Sequence, residues 1–174
     1  APAFNNRGSA LLTLTRFVDA LSCFDRALAL QPGNAKALNN RGNALLGLGR
    51  YEEALAAYEQ ALAARPDYPE ALNNRGNALQ QLKRHEEALA SFEKADTPKA
   101  FAGAASAALD LCDWARTEKI AIEMERRIRA GEAMPPWTVL GYSEDEALQR
   151  RCAANVIASR FAVLPPPLAA KPYA

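Results

Sequence analysis

"NNRGNAL" spans residues 39–45 and returns unchanged at 73–79, and a near-copy, "NNRGSAL", stands at 5–11. Gly8, Gly42 and Gly76 are therefore 34 residues apart, and other columns keep the same interval. They are Ala20, Ala54 and Ala88; Phe24, Tyr58 and Phe92; Ala27, Ala61 and Ala95; and the proline pair Pro32 and Pro66. Leu38, Gly42 and Leu45 recur at i, i+4 and i+7, which is one face of an α-helix. Glycine inside a helix costs roughly 1 kcal/mol against alanine. Its return at a fixed interval makes sense where a facing helix must approach closely. Ala54, Tyr58 and Ala61 supply such a face, two small residues flanking one ring. "GLGR" at 47–50 ends the first helix, and "YEEAL" at 51–55 begins the second with acids in its first turn, where the helix dipole favours them. Pro66 marks the exit, since proline cannot continue a helix.

A 34-residue period with these small and aromatic columns resembles the tetratricopeptide repeat, a helix–turn–helix unit that stacks into a solenoid. The resemblance implies an all-α fold, a right-handed superhelix closed by a C-terminal helical cap. Three repeats are expected over residues 1–102, at 1–34, 35–68 and 69–102, the last one shortened. The leading Trp of the family is replaced by Phe4, Leu38 and Leu72, and a usual Tyr by Leu11, Leu45 and Leu79. These exchanges remain apolar and leave the fold expectation intact.

In a superhelix of this kind the open face of each first helix lines a concave groove. At about 100° per residue, Asn43 points away from Leu38, Gly42 and Leu45, with Asn39 and Asn40 on either side of it. Stacking then predicts a ladder of Asn5, Asn6 and Ser9, then Asn39, Asn40 and Asn43, then Asn73, Asn74 and Asn77, extended by Gln80 and Gln81. A carboxamide donates and accepts hydrogen bonds, so it can grip a peptide backbone of any sequence. The alternative is that some of these asparagines serve local backbone groups. Arg41 lies at the margin of the core face, where a long stem can cover apolar surface. Its column is expected to pair with one of two acidic columns, Asp25, Glu59 and Glu93 or Asp19, Glu53 and Glu87. His85 shares the column of Phe17 and Tyr51, which predicts a packing role rather than catalysis.

The period fails after Ala95. "FAGAASAALDLCDW" (101–114) reads as a further first helix, with Ala105 in the glycine column 29 residues after Gly76. Residues 115–130 read as its second helix, carrying Ile120, Met124 and Ile128 and ended by Gly131, so 99–131 is expected to form a degenerate fourth hairpin. A proline-containing turn and a capping helix follow over 132–164. Ser143 and Glu146 have the spacing of a capping box. Residues 165–174 read as a proline-rich linker or tail. The turn "LCDW" (111–114), Pro135–Pro136 and "TVLGYSEDEALQRRCA" (138–153) are similar to the segment that joins repeats to catalysis in O-linked N-acetylglucosamine transferases and their bacterial relatives. That resemblance implies a substrate-recruiting region, with no sugar-nucleotide or catalytic residue to carry over.

The composition fits these expectations. Of 174 residues, 49% are hydrophobic and 24% charged, ordinary for a globular protein. A formal net charge of +1 argues against a nucleic-acid or anionic-membrane partner, which usually needs a basic excess. No apolar run approaches the roughly 20 residues of a membrane span. The start shows neither a signal-peptide pattern nor an initiator Met, and is expected to result from processing or from excision out of a longer polypeptide. Cys23, Cys112 and Cys152 are too scattered for a zinc or redox motif, and are expected to be buried reduced thiols in the cytoplasm. One His, no P-loop or GxGxxG, and no metal-spaced cluster argue against catalysis, a metal site or a cofactor. The function expected is capture of an extended polypeptide, with a free-standing adaptor as the alternative. One known role of such repeats reads a C-terminal carboxylate through lysines and arginines. Here the corresponding positions are mostly Asn, with Lys36 the one obvious cation and Glu70 opposing it. Exposed repeat ends are expected to favour self-association.

Overall fold

The glycine columns are filled by rings. In the computed structural model, a Cβ placed on Gly8, Gly42 or Gly76 would sit 2.5 Å from a ring carbon of Phe24, Tyr58 or Phe92 respectively. Each ring is almost wholly buried, and the alanines of the second helices close in beside it. This interlock defines the hairpin. The first helices are α1 (Pro2–Thr13), α3 (Ala35–Gly47), α5 (Pro69–Gln81) and α7 (Pro98–Asp110). The second helices are α2 (Phe17–Leu30), α4 (Tyr51–Ala64), α6 (His85–Ala95) and α8 (Trp114–Arg129), and α9 (Glu146–Phe161) follows. The structure describes residues 1–134, 138–139 and 142–161. Pro135–Pro136 and the proline-rich 165–174 lie outside the described residues.

Local chemistry sets the helix ends. Proline opens α1, α5 and α7, where its missing N–H is not needed. Asn34 Oδ1 accepts from the Ala37 amide at 3.0 Å, and Thr97 Oγ1 from the Ala100 amide at 3.1 Å. The second helices start on Arg16, Arg50 and Arg84, each paired at 2.6 Å to Asp19, Glu53 or Glu87 three residues on. Between the helices Thr15, Gly49, Lys83 and Cys112 share one left-handed turn position, with φ of 55°, 73°, 61° and 54°. Only the second repeat fills it with glycine, the residue that adopts this conformation without strain.

The described chain divides into two units, Ala1–Arg116 and a second beginning at Thr117. In the first unit each second helix packs on the first helix of the next repeat, so the hairpins stack as a solenoid. Leu55, Leu72, Leu79, Leu89 and Phe92 form its largest apolar cluster. The arginine column pairs with the first of the two acidic columns. Arg41 Nε meets Asp25 Oδ1 at 2.8 Å, and Arg75 meets Glu59 Oε1 at 3.6 Å, each reaching back to the preceding repeat. The other acidic column serves the helix starts of its own repeat. These half-exposed pairs set register, each contributing no more than about 1 kcal/mol.

The third repeat is short because α6 has 11 residues against 14 in α2 and α4. Asp96, left-handed at φ 42°, ends it early. Ala105 holds the glycine register in α7 and is fully buried. The ring of Phe92 also meets Gly103, where a Cβ would sit 2.6 Å away. His85 is half-buried, with Nδ1 3.3 Å from Asp110 Oδ2 but outside hydrogen-bond geometry. The expected hairpin 99–131 straddles the unit boundary: α7 belongs to the first unit, and α8 from Thr117 onward to the second.

In the second unit Ile120, Met124, Ile128, Met134, Val139, Leu148 and Cys152 are buried. Asn155 Nδ2 donates to the Ile128 and Glu132 carbonyls at 2.9 and 3.1 Å, closing the end of α8. Two expectations need correction. Asp145, not Ser143, caps α9: its Oδ1 accepts from the Ala147 and Leu148 amides, while Ser143 Oγ accepts from Asp145 N. Cys112 is exposed, because the left-handed turn carries it outward, whereas Cys23 and Cys152 are buried as expected.

The Glu123 carboxyl receives hydrogen bonds from Arg126 and Arg127 and is held down to about 2. A lowered carboxylate value contributes stability above the unfolded value of about 4.3, lost as pH falls toward 2. Carboxyl NMR titration is expected to show Glu123 ionised at pH 3, and Arg127→Gln to move its midpoint upward.

Candidate functional site

The first helices α3, α5 and the start of α7 enclose a cleft of about 630 Å³. Asn39, Asn40, Asn43, Asn73 and Asn74 line it with Tyr68, Pro69, Glu70, Thr97 and Lys99. Of the ten amide residues expected to form a groove, five lie here. Asn5 and Asn6 belong to α1, and Asn77, Gln80 and Gln81 lie further along α5, outside this lining.

The amides do not all face outward. Asn5, Asn39 and Asn73 are only 7%, 4% and 4% exposed. Asn40 Nδ2 donates to Asn5 Oδ1 at 3.1 Å and to Ser9 Oγ at 3.2 Å, and Asn74 Nδ2 donates to Asn39 Oδ1 at 3.0 Å. The second asparagine of each repeat thus reaches back to the first asparagine of the repeat before it. The rung is inter-repeat glue: a buried amide oxygen left unpaired costs about 1–3 kcal/mol. At the next step Gly103 stands where Asn40 and Asn74 stand, and it has no side chain to offer. Asn73 Nδ2 instead turns to Asn74 Oδ1 at 3.4 Å.

What remains for a ligand is narrower than the full ladder. Among the described residues Asn40 keeps its oxygen free, and Asn43 keeps its nitrogen free while its Oδ1 accepts from the buried Tyr58 hydroxyl at 2.8 Å. Desolvation pushes that phenol far above its ordinary range. Tyr68 packs at the cleft edge under the Arg65 guanidinium, 4.9 Å from the ring centroid. Burial, with Glu70 adding to it, raises the Tyr68 phenol as well, so it remains a donor at neutral pH.

Tyr68, Pro69, Thr97 and Lys99 were not expected from the sequence. Lys99 is the second residue of α7, as Glu70 is of α5 and Lys36 of α3. The cleft holds Lys99 and Glu70 and leaves Lys36 out, so its lining charges balance. The lining offers fixed donors and acceptors but no nucleophile beside a base, which suits binding. Among the described residues no group of three or more His, Cys, Asp or Glu could hold a metal ion. No helix among them is long and apolar enough to cross a membrane.

Fold and site together define a helical-repeat protein with an amide-lined cleft. Two family models, both described as tetratricopeptide repeat, match residues 1–67 and 40–105, and the chain belongs to that repeat family across 1–105. No curated protein matches the chain. Several solved structures do. The second tetratricopeptide domain of human RPAP3, in complex with the HSP70 peptide SGPTIEEVD, is 27% identical with a TM-score of 0.59, over 62% of this chain and 93% of that one. The second such domain of Spaghetti (RPAP3), bound to the HSP90 peptide SRMEEVD, is 30% identical with a TM-score of 0.52, over 53% and 86%. The Arabidopsis OM64 domain, 23% identical with a TM-score of 0.59 over 61% and 92%, is similar in fold.

Proposed function

We propose that the α3–α5–α7 cleft binds an extended segment of a partner polypeptide, chiefly through its backbone. The carrying observation is the uncommitted hydrogen-bonding capacity of Asn40 and Asn43 on the wall of a cleft about 630 Å³ in volume. A strand laid along it meets an acceptor and a donor one after the other, the pattern a peptide bond presents. Peptide binding by the two RPAP3 domains above supports the reading. Their peptides are rich in acids near the C-terminus, and here Glu70 opposes such a charge while only Lys99 of the lining favours it. The partner segment we infer is therefore neutral or mixed in charge.

Anisotropy titrations over an array of extended peptides test this. Asn40→Ala is expected to weaken binding about fivefold to tenfold across unrelated sequences, the effect of one lost hydrogen bond of about 1 kcal/mol or slightly more. Glu70→Lys is expected to tighten binding of SGPTIEEVD by about tenfold, since it changes one repulsion into an attraction. Array-bound peptides that ignore both changes would remove the cleft from consideration. The setting in which the segment is held, as the substrate-presenting part of a glycosyltransferase-like protein, rests on the linker motifs at 111–114 and 138–153. A free-standing adaptor uses the same cleft.

A further inference from the structure

We infer that the floor of the cleft, at Asn73, is a pocket for a side-chain carboxamide, so that the segment held there carries Asn or Gln at one fixed position. This pocket rests on the proposed peptide-binding role of the cleft and adds a side-chain preference to it. One buried oxygen is treated differently in three repeats. Asn5, Asn39 and Asn73 occupy the same position in α1, α3 and α5, and are 7%, 4% and 4% exposed. Asn5 Oδ1 accepts from Asn40 Nδ2 at 3.1 Å, and Asn39 Oδ1 from Asn74 Nδ2 at 3.0 Å. Asn73 Oδ1 accepts from nothing among the described residues.

The missing donor has a cause inside the stack. In α7 the donor position is Gly103, whose backbone lies so close to the Phe92 ring that a Cβ would sit 2.6 Å away. No side chain stands there to complete the row. Asn73 Nδ2 meets Asn74 Oδ1 at 3.4 Å, a long contact that leaves the Asn73 oxygen untouched. A buried carbonyl oxygen without a donor is costly. This one belongs to the lining of a cleft, where a ligand can supply the hydrogen.

The rest of the lining selects the group that supplies it. Tyr68 and Thr97 line the same cleft. Thr97 Oγ1 accepts from the Ala100 amide at 3.1 Å, and neither hydroxyl has an acceptor for its own hydrogen among the described residues. An oxygen lacking a donor and two hydroxyls lacking acceptors call for a group that donates and accepts at once. A carboxamide does both and carries no charge. An ammonium would meet Lys99 as well as Glu70. A carboxylate brings no hydrogen to Asn73 Oδ1. Asn40 and Asn43 are half-buried whereas Asn73 is buried. A strand engaged by the first two therefore stays nearer the rim, and a side chain has to cover the remaining depth.

The probes are fluorescein-labelled nine-residue peptides of Ser, Thr and Ala in which one position in turn is Gln, Asn, Met or Glu. They are titrated by anisotropy into the full chain. At one position Gln or Asn is expected to bind about fivefold to tenfold more tightly than Met, the fold-change of one hydrogen bond. Asn73→Ala should erase that preference and leave the affinity of the Met peptide within about twofold of its parent value. Asn40→Ala should weaken the Gln and Met peptides alike and keep their ratio, which separates this pocket from the backbone contacts of the proposed function. In urea Asn73→Ala should lower the unfolding midpoint less than Asn39→Ala, because Asn39 serves a donor from the next repeat; an equal loss would give the Asn73 oxygen a structural partner and overturn the pocket. Equal affinities for Gln and Met at every position, with the Asn40 effect intact, would overturn it and leave the proposed function standing. A preference that survives Asn73→Ala would overturn it too, and binding of no peptide would remove both.

Discussion

Gly76→Ala is expected to destabilise the repeats by about 2 kcal/mol, although alanine is the better helix former by about 1 kcal/mol. The new methyl would lie 2.5 Å from Phe92 Cε1, and Gly103 of α7 faces the same ring edge so closely that a Cβ on it would lie 2.6 Å away. The ring is 1% exposed and caught between two helices, so it cannot step aside without opening one interface. Overpacking a core in this way costs about 1–3 kcal/mol and occasionally more. Urea unfolding measures the loss. Gly33→Ala is the control, since a Cβ there meets nothing within 4 Å. That change should alter stability by no more than about 0.5 kcal/mol. A smaller side chain at 92, in the Gly76→Ala, Phe92→Leu pair, should cost less than the sum of the single changes. Strict additivity, or a stabilised Gly76→Ala, would show that the ring has room to move.

Asn43→Ala is expected to cost about 1–3 kcal/mol, because it leaves the fully buried Tyr58 hydroxyl without its acceptor. Adding Tyr58→Phe should recover most of that loss. Phe24 and Phe92 fill the equivalent slots, so the pocket accepts a phenyl ring without alteration. The pair also isolates function. In the doubly substituted chain the fold is restored while the cleft still lacks the Asn43 amide, and peptide affinity should stay about fivefold or more below that of the parent, as expected for one lost hydrogen bond. Parent-like affinity in that chain would assign Asn43 to Tyr58 alone.

The fold was legible because its signal repeats. Glycine and ring columns 34 residues apart record a close helix contact three times over, and the arginine and acid columns record the register between hairpins. The site was legible only in part, for a physical reason. A helical wheel describes one helix with no neighbour, so it placed Asn39, Asn40 and Asn43 together on an open face. When the first helices stack, the first position of each pair turns into the seam. Asn5 and Asn39 are then consumed in holding repeats together, with Asn40 and Asn74 as their donors, while the buried Asn73 turns to Asn74 of its own repeat. Lys99 and Thr97 entered the cleft because α6 is three residues shorter than α4 and its connection to α7 two residues shorter, which together reset the register by five. The exposed Cys112 likewise follows from a left-handed turn that the sequence marks with glycine only at Gly49.

The stacking order has a further consequence for how the molecule breathes. Among the described helices of the first unit the main contacts run within a hairpin and between adjacent hairpins, so the energy of opening a hairpin is set by the seams it shares. The α3–α4 hairpin shares one seam with α1–α2 and another with α5, so opening it must break both. The cleft runs across two such seams, and a strand bridging α3, α5 and α7 would weld both at once. Occupancy would then be felt along the stack as slower fraying of parts that the ligand never touches.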